Sequence, residues 1–286
     1  GLLHRLERLN ILARSTLSAR GLGKRQTRRK GASLEFNEYR HYVPGDEPRY
    51  LDWNVYARHG SLFVKEFTAE ENVHVALMLD GSRSMVSGAP SKFDAARLIA
   101  TALAYIGLAN LDVVSAWTFS DELVPLRSFL SGKSRILEFL AAVESLEAIG
   151  RSDLRRSLSR PLPRLRGKSV VVVLSDFYDV DGYREGLLKL LAQDVQVDLV
   201  QVLAREELEP GLDGRWILKD AETGREREFF ISPGARQAYR ERHSRFLHDL
   251  ELFARDREIR LIRAFSDETL ETVVARAGKA GFFERL

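Results

Sequence analysis

One stretch of this chain, Val73 to Ser84, constrains its fold more than any other: VHVALMLDGSRS. Val73, Val75, Ala76, Leu77, Met78 and Leu79 make an apolar, largely β-forming run that stops at Asp80 and is followed by Gly81, Ser82, Arg83 and Ser84. A run this short, without polar alternation, predicts a strand buried on both faces. A carboxylate at its carboxyl end, with hydroxyls two and four residues on around a turn that glycine permits, puts three hard oxygen donors into one small loop. The expectation is a buried strand that delivers a cation site.

The residues that follow repeat the theme. Ser91 to Ala109 predicts a helix capped by Ser91, with Asp94 in its first turn and a wide apolar face. Val113 to Phe119 predicts a strand with a hairpin partner at Leu123 to Leu126, and Ser134 to Leu146 a helix. Ser169 to Leu174, SVVVVL, reads as a second fully buried strand, ending at Ser175 and Asp176. Helix, strand, a charged hairpin over Arg215 to Ile231, a long helix from Gly234 to Arg255, a strand at Ile259 to Phe265 and a closing helix complete the order. Strands alternating with helices imply an α/β, Rossmann-like, open and mostly parallel sheet with helices on both faces.

Ligands in such sheets bind beyond the carboxyl ends of the strands. Asp80 ends one buried strand and Asp176 another, and Ser152 lies in a loop that opens a helix on the same rim if the winding is regular. Three loops thus offer Asp80, Ser82, Ser84, Ser152 and Asp176, oxygen donors without a His or Cys among them. That set disfavours Zn²⁺ and suits Mg²⁺, with Mn²⁺ or Ca²⁺ as alternatives. With few acids the ion stays short of ligands, and a partner's carboxylate can fill the open position. Arg83 is the residue that could instead pair with Asp80 or Asp176 and quench the site.

Composition bounds the rest. At 286 residues and 44% hydrophobic the chain can bury a full core. The absence of cysteine excludes disulfides and thiolate metal sites and fits a reducing, cytoplasmic compartment. The longest uncharged apolar stretch, Leu98 to Leu111, falls short of the roughly 20 residues that cross a bilayer, so neither a transmembrane helix nor a signal peptide is expected. Net charge is +3, but residues 1–30 carry nine Lys/Arg against Glu7, which leaves −5 for the remainder.

Leu2, Leu3, Leu6, Leu9, Ile11 and Leu12 recur at helical spacing, predicting an amphipathic helix over Leu2 to about Thr16 ahead of a basic linker through Lys30. No aromatics interleave the basic residues, so a nucleic-acid surface is not favoured. Residues 31–72 mix aromatics with charges of both signs, and are expected to pack onto the main domain, 73–286, with Arg40, Asp46, Arg49, Asp52 and Arg58 in paired charges. Leu62 to Thr68 within it predicts an edge strand.

Asp80-Gly81-Ser82-Arg83-Ser84 resembles the DxSxS motif of von Willebrand factor A domains, whose metal-ion-dependent adhesion site (MIDAS) adds a threonine and an aspartate from two further loops. The resemblance puts Ser152, in GRSDL, in the threonine's place and Asp176 in the aspartate's; serine keeps the hydroxyl but loses the methyl that fixes its rotamer. Upstream, Phe36, Glu38-Tyr39-Arg40, Tyr42, Pro44-Gly45-Asp46, Arg49, Leu51-Asp52-Trp53 and Ala57-Arg58 look like the bacterial family called domain of unknown function 58. Membership implies a von Willebrand A-like domain, often encoded beside a MoxR-type AAA+ ATPase and thought to act with it in assembling or activating other proteins.

The function expected is a non-enzymatic, metal-dependent protein-interaction module. Its competitors are a Mg²⁺-dependent hydrolase of phosphoesterase type, and a nucleic-acid or membrane tether through the basic arm. The first lacks a second acid where Ser82 stands. A serine hydrolase lacks the second glycine of a nucleophile elbow after Ser82, and a Walker A lysine loop is missing as well.

Overall fold

The computed structural model describes residues 6–11, 34–69, 72–162, 168–179, 182–221 and 223–285. In chain order these form β1 (Leu9–Ile11), β2 (Leu34–His41), α1 (Trp53–His59), β3 (Phe63–Ala69), β4 (His74–Asp80), α2 (Lys92–Ala109), β5 (Val113–Phe119), β6 (Leu123–Leu130) and α3 (Ile136–Glu144). There follow α4 (Leu154–Ser157), β7 (Ser169–Ser175), α5 (Tyr183–Leu191), β8 (Gln196–Leu203), α6 (Arg205–Leu208), β9 (Gly214–Lys219) and β10 (Glu226–Ile231). The chain closes with α7 (Pro233–Arg255), β11 (Arg260–Phe265), α8 (Leu270–Lys279) and β12 (Phe283–Arg285).

Six strands make the central sheet in the order β11-β8-β7-β4-β5-β6, parallel except for β6, which runs antiparallel to β5. This is the open, mostly parallel sheet, covered on both faces, that the alternation of strands and helices predicts. All seven residues of β4 and of β7 are buried, which is why neither strand shows polar alternation. Val75, Leu77 and Leu79 face one layer with α2 and α8, while Ala76 and Met78 face the other with α4, α5 and α7. Full burial of such side chains contributes roughly 1.5–3 kcal/mol each. Because β4 lies between β5 and β7, the carboxyl ends of β4 and β7 are neighbours, and α2 leaves that rim on a Ser91 cap that accepts from Asp94 N at 3.0 Å.

The helix expected over Leu2 to Thr16 is corrected where the chain is described. Leu9–Ile11 is a strand, antiparallel to β12 with Leu9 opposite Arg285, and Leu6 and Ile11 enter the core beside α2. Pairing with a strand some 270 residues away in sequence overrides a local helical spacing. Most of that expected helix, and the basic cluster Arg20 to Lys30, lie outside the described residues.

The chain divides into two compact units, residues 17–72 and residues 1–16 with 73–286. In the smaller one β2 and β3 form an antiparallel pair with a bulge between Phe36 and Glu38. Arg40 holds Asp46 through two bonds of 2.8 and 2.9 Å, and Arg49 pairs with Glu47. Asp52 caps α1 by accepting from Asn54 N and Val55 N and also accepts from Tyr39 Oη at 2.8 Å. Of the charges singled out in the sequence, Arg40, Asp46 and Arg49 are paired and Asp52 caps α1.

Candidate metal centre

The site starts from the last residue of β4. Asp80 is completely buried, and each carboxylate oxygen receives a donor: Ser82 N reaches Oδ1 at 2.9 Å and Ser175 Oγ reaches Oδ2 at 2.5 Å. Burial and the nearby charge of Asp176 push the Asp80 carboxyl up to about 7, against the opposing pull of the Ser175 and Ser82 bonds.

The turn after Asp80 is drawn tightly onto its neighbours. Gly81 N donates to Phe119 O and Ile149 N to Gly81 O, both at 2.7 Å. A Cβ on Gly81 would stand 2.6 Å from Thr118 Oγ1, so only glycine sits here without displacing β5. A short 3-10 turn, Arg83–Val86, then plants Met85 in the core and leaves Ser82 Oγ and Ser84 Oγ 2.9 Å apart.

Ser152 arrives on the second loop. That loop is tied to the first by Ile149 N and by Arg83 N, which donates to Gly150 O at 3.3 Å. Asp153 then caps α4 by accepting from Arg156 N at 2.8 Å. Beside Ser152 opens a cleft of about 380 Å³ whose lining includes Asp121, Arg151, Asp153, Arg155 and Asp179.

Asp176, one residue past β7, supplies the third loop. It is buried, with Oδ1 accepting from Tyr178 N at 3.0 Å and Oδ2 from Lys92 Nζ at 2.7 Å. Lys92 is wholly buried, reaches Glu207 Oε1 at 2.5 Å as well, and lies 4.9 Å from the centre of the Tyr178 ring. Burial alone would lower the Lys92 pKa, but the Asp176 and Glu207 carboxylates overcome it and raise it. Tyr178 Oη meets His243 Nε2 at 2.8 Å, and burial with the Glu207 charge raises its pKa. The ion pair that the sequence offered to Arg83 is therefore made by Lys92; Arg83 is exposed and forms no ion pair among the described residues.

The structure thus clusters Asp80, Ser82 and Ser84 directly, places Asp176 within electrostatic reach of Asp80, and holds Ser152 on the adjoining loop. Asp80, Asp176 and Glu207 against Lys92 leave a formal charge of two minus, when ionised, in a region closed to solvent except at Glu207. A divalent cation balances that charge, and the donors are hard oxygens, so the residues fit Mg²⁺ or Mn²⁺. Among the described residues no three carboxylate or imidazole groups gather into a metal cage. An ion here leans on hydroxyls and water.

Ser175, Lys92 and Glu207 are the residues that sequence reasoning missed. A signal existed for Lys92: it follows the cap at the first position of α2, where the helix dipole disfavours a cation. Such a lysine needs an anionic partner elsewhere.

Residues 38–247 match the family described as protein of unknown function DUF58. Uncharacterized proteins of Mycobacterium bovis and Mycobacterium tuberculosis are 28% identical over 214 residues, covering 73% of this chain and 67% of theirs. Among solved structures, the conserved hypothetical protein BatB of Bacteroides thetaiotaomicron superposes with a TM-score of 0.46 at 16% identity, over 73% of this chain and 98% of BatB. Proximal thread matrix protein 1 of the mussel byssus, solved with zinc in its MIDAS motif, gives a TM-score of 0.34 at 17% identity, over 46% of this chain and 36% of that one.

Proposed function

The chain belongs to the DUF58 family, and we propose that it is a non-enzymatic interaction module that grips an acidic residue of a partner protein through a divalent ion, Mg²⁺ by preference. The observation that carries this reading is the cluster at the end of β4: a fully buried Asp80 with the hydroxyls of Ser82 and Ser84, 2.9 Å apart, on the turn that follows it. The bound ion would supply a Lewis-acidic contact for one external carboxylate. Asp80, Ser82 and Ser84 would hold it, Ser152 would reach it from the second loop, and Asp176 would act on it through charge or water. Mg²⁺ keeps open or water-filled positions when protein acids are few, and an Asp or Glu replaces such a water through a charge-assisted contact.

A hydrolase is the weaker reading, because Ser82 stands where a phosphoesterase needs a second acid, and His243 Nε2 is paired with Tyr178 Oη. Action beside a MoxR-type AAA+ ATPase in the cytoplasm is the finer part of the proposal and rests on the family resemblance and the cysteine-free composition. Among the described residues no helix is long and apolar enough to cross a membrane.

The test compares display peptides bearing Asp or Glu with their Asn or Gln counterparts, in Mg²⁺ and in EDTA. Retention that needs both the acid and Mg²⁺, and is lost in Ser82→Ala/Ser84→Ala, supports the proposal. Retention indifferent to acid and metal overturns it.

A further inference from the structure

Lys92 is the least expected residue of the rim. Its side chain is fully buried, it opens a helix at the end where a cation is disfavoured, and its ammonium is shared between Asp176 Oδ2 at 2.7 Å and Glu207 Oε1 at 2.5 Å. A buried lysine is tolerated only where carboxylates compensate it. The other oxygen of Asp176 already accepts from Tyr178 N at 3.0 Å. Both oxygens of Asp176 thus accept from protein donors, as both oxygens of Asp80 do, but only Asp176 has a cation among its donors.

We infer that Lys92 is a positioning residue of the metal centre: it neutralises Asp176 and holds it back from the ion, leaving Asp80 as the carboxylate that binds directly. The inference rests on the metal reading above. Its consequence concerns the partner. With Asp176 held off, Asp80 is the one protein carboxylate in contact with the ion, and the coordination position left open favours an anionic ligand over a neutral one. Lys92 sets this selectivity from inside the core.

The test is Mn²⁺ binding followed by electron paramagnetic resonance and by water-proton relaxation, on the wild type and on Lys92→Met/Glu207→Gln, whose second change avoids leaving Glu207 unpaired. The double variant loses one charge of each sign, so the local formal charge stays as it was, and it is expected to bind Mn²⁺ about tenfold more tightly because Asp176, released from its cation, is free to ligate the ion. Its relaxation enhancement should fall, as Asp176 swings in and displaces a metal-bound water. A folded double variant with equal or weaker affinity and unchanged relaxation overturns the inference, since lost packing alone would weaken binding. If the double variant does not fold, Glu207→Gln alone serves: Lys92 then pairs wholly with Asp176, and Mn²⁺ binding should weaken severalfold, whereas unchanged or tighter binding overturns the inference. A wild type that takes up no Mn²⁺ removes the metal reading and this inference with it. Wild-type binding that the substitutions leave as it was removes the inference alone.

Discussion

Ser175, the last residue of β7, donates its hydroxyl to Asp80 Oδ2 at 2.5 Å across the gap between adjacent strand ends, and accepts from Phe177 N at 2.9 Å. This one hydroxyl aims the Asp80 carboxylate and satisfies a buried amide. Ser175→Ala is expected to lower Mn²⁺ affinity by roughly 10–100-fold, as losses of outer-shell partners do. The orphaned Phe177 amide should cost about 1–3 kcal/mol of stability. Calorimetry for the first and urea denaturation for the second check the two effects separately.

Asp112 gives the chain a pH dependence away from the metal rim. Its Oδ1 accepts from Val73 N at 2.9 Å, Oδ2 has no hydrogen-bond partner among the described residues, and burial pushes the carboxyl up to about 7. The folded state therefore holds this proton to higher pH than the unfolded chain, which releases it near 4. The contribution to stability is full below about pH 4 and is lost as the pH rises through 7. Asp112→Asn keeps an acceptor for Val73 and cannot ionise. It should be more stable than the wild type by about 1–3 kcal/mol at pH 8 and show a smaller gain at pH 5, read from melting curves at both values.

Arg260 and Asp198 face each other across β11 and β8, with Arg260 Nε 2.7 Å from Asp198 Oδ1 and both side chains nearly free of solvent. Arg260→Met should cost about 3–5 kcal/mol, because it takes the cation from a buried carboxylate and leaves it with the neutral Gln196 amide as a donor. Adding Asp198→Leu should recover much of that loss. A double-mutant cycle by chemical denaturation separates the penalty of stranding one charge from the worth of the pair.

Gly81 and Thr118 set how closely the loop after β4 lies on β5. A Cβ on Gly81 meets Thr118 Oγ1 at 2.6 Å, so Gly81→Ala should destabilise the fold by about 1–3 kcal/mol. Thr118→Ala removes the obstructing atom, and the double substitution should regain most of the loss in melting temperature.

The central sheet was legible because its strands carry the signal locally. HVALMLD and SVVVVLS are apolar at every position but the ends, and in the structure both are buried throughout. The charged hairpin reads equally well, with Trp216 opposite Phe229 in the register of β9 and β10. The DxSxS loop was legible for a related reason: ligands two residues apart on one turn are a local pattern, and Ser82 and Ser84 do meet. What escaped was set by distant contacts. Leu9 and Ile11 look helical until Arg285 and Phe283 arrive to pair with them. β2 was not anticipated because Leu34–His41 is rich in charge and pairs with β3 across a bulge. Lys92 reads as a solvated lysine behind a helix cap, and only the meeting of Asp176 and Glu207, 84 and 115 residues away, shows why it is buried.

The central claim is that Asp80 holds a divalent ion at the carboxyl end of β4. It is tested most directly by titrating Mg²⁺ and Mn²⁺ into the wild type and into Asp80→Ala in a calorimeter, with circular dichroism confirming that both are folded. A saturable site in the wild type that disappears from a folded Asp80→Ala is the expected result. Equal binding by the two proteins, or no binding by the wild type, would contradict it.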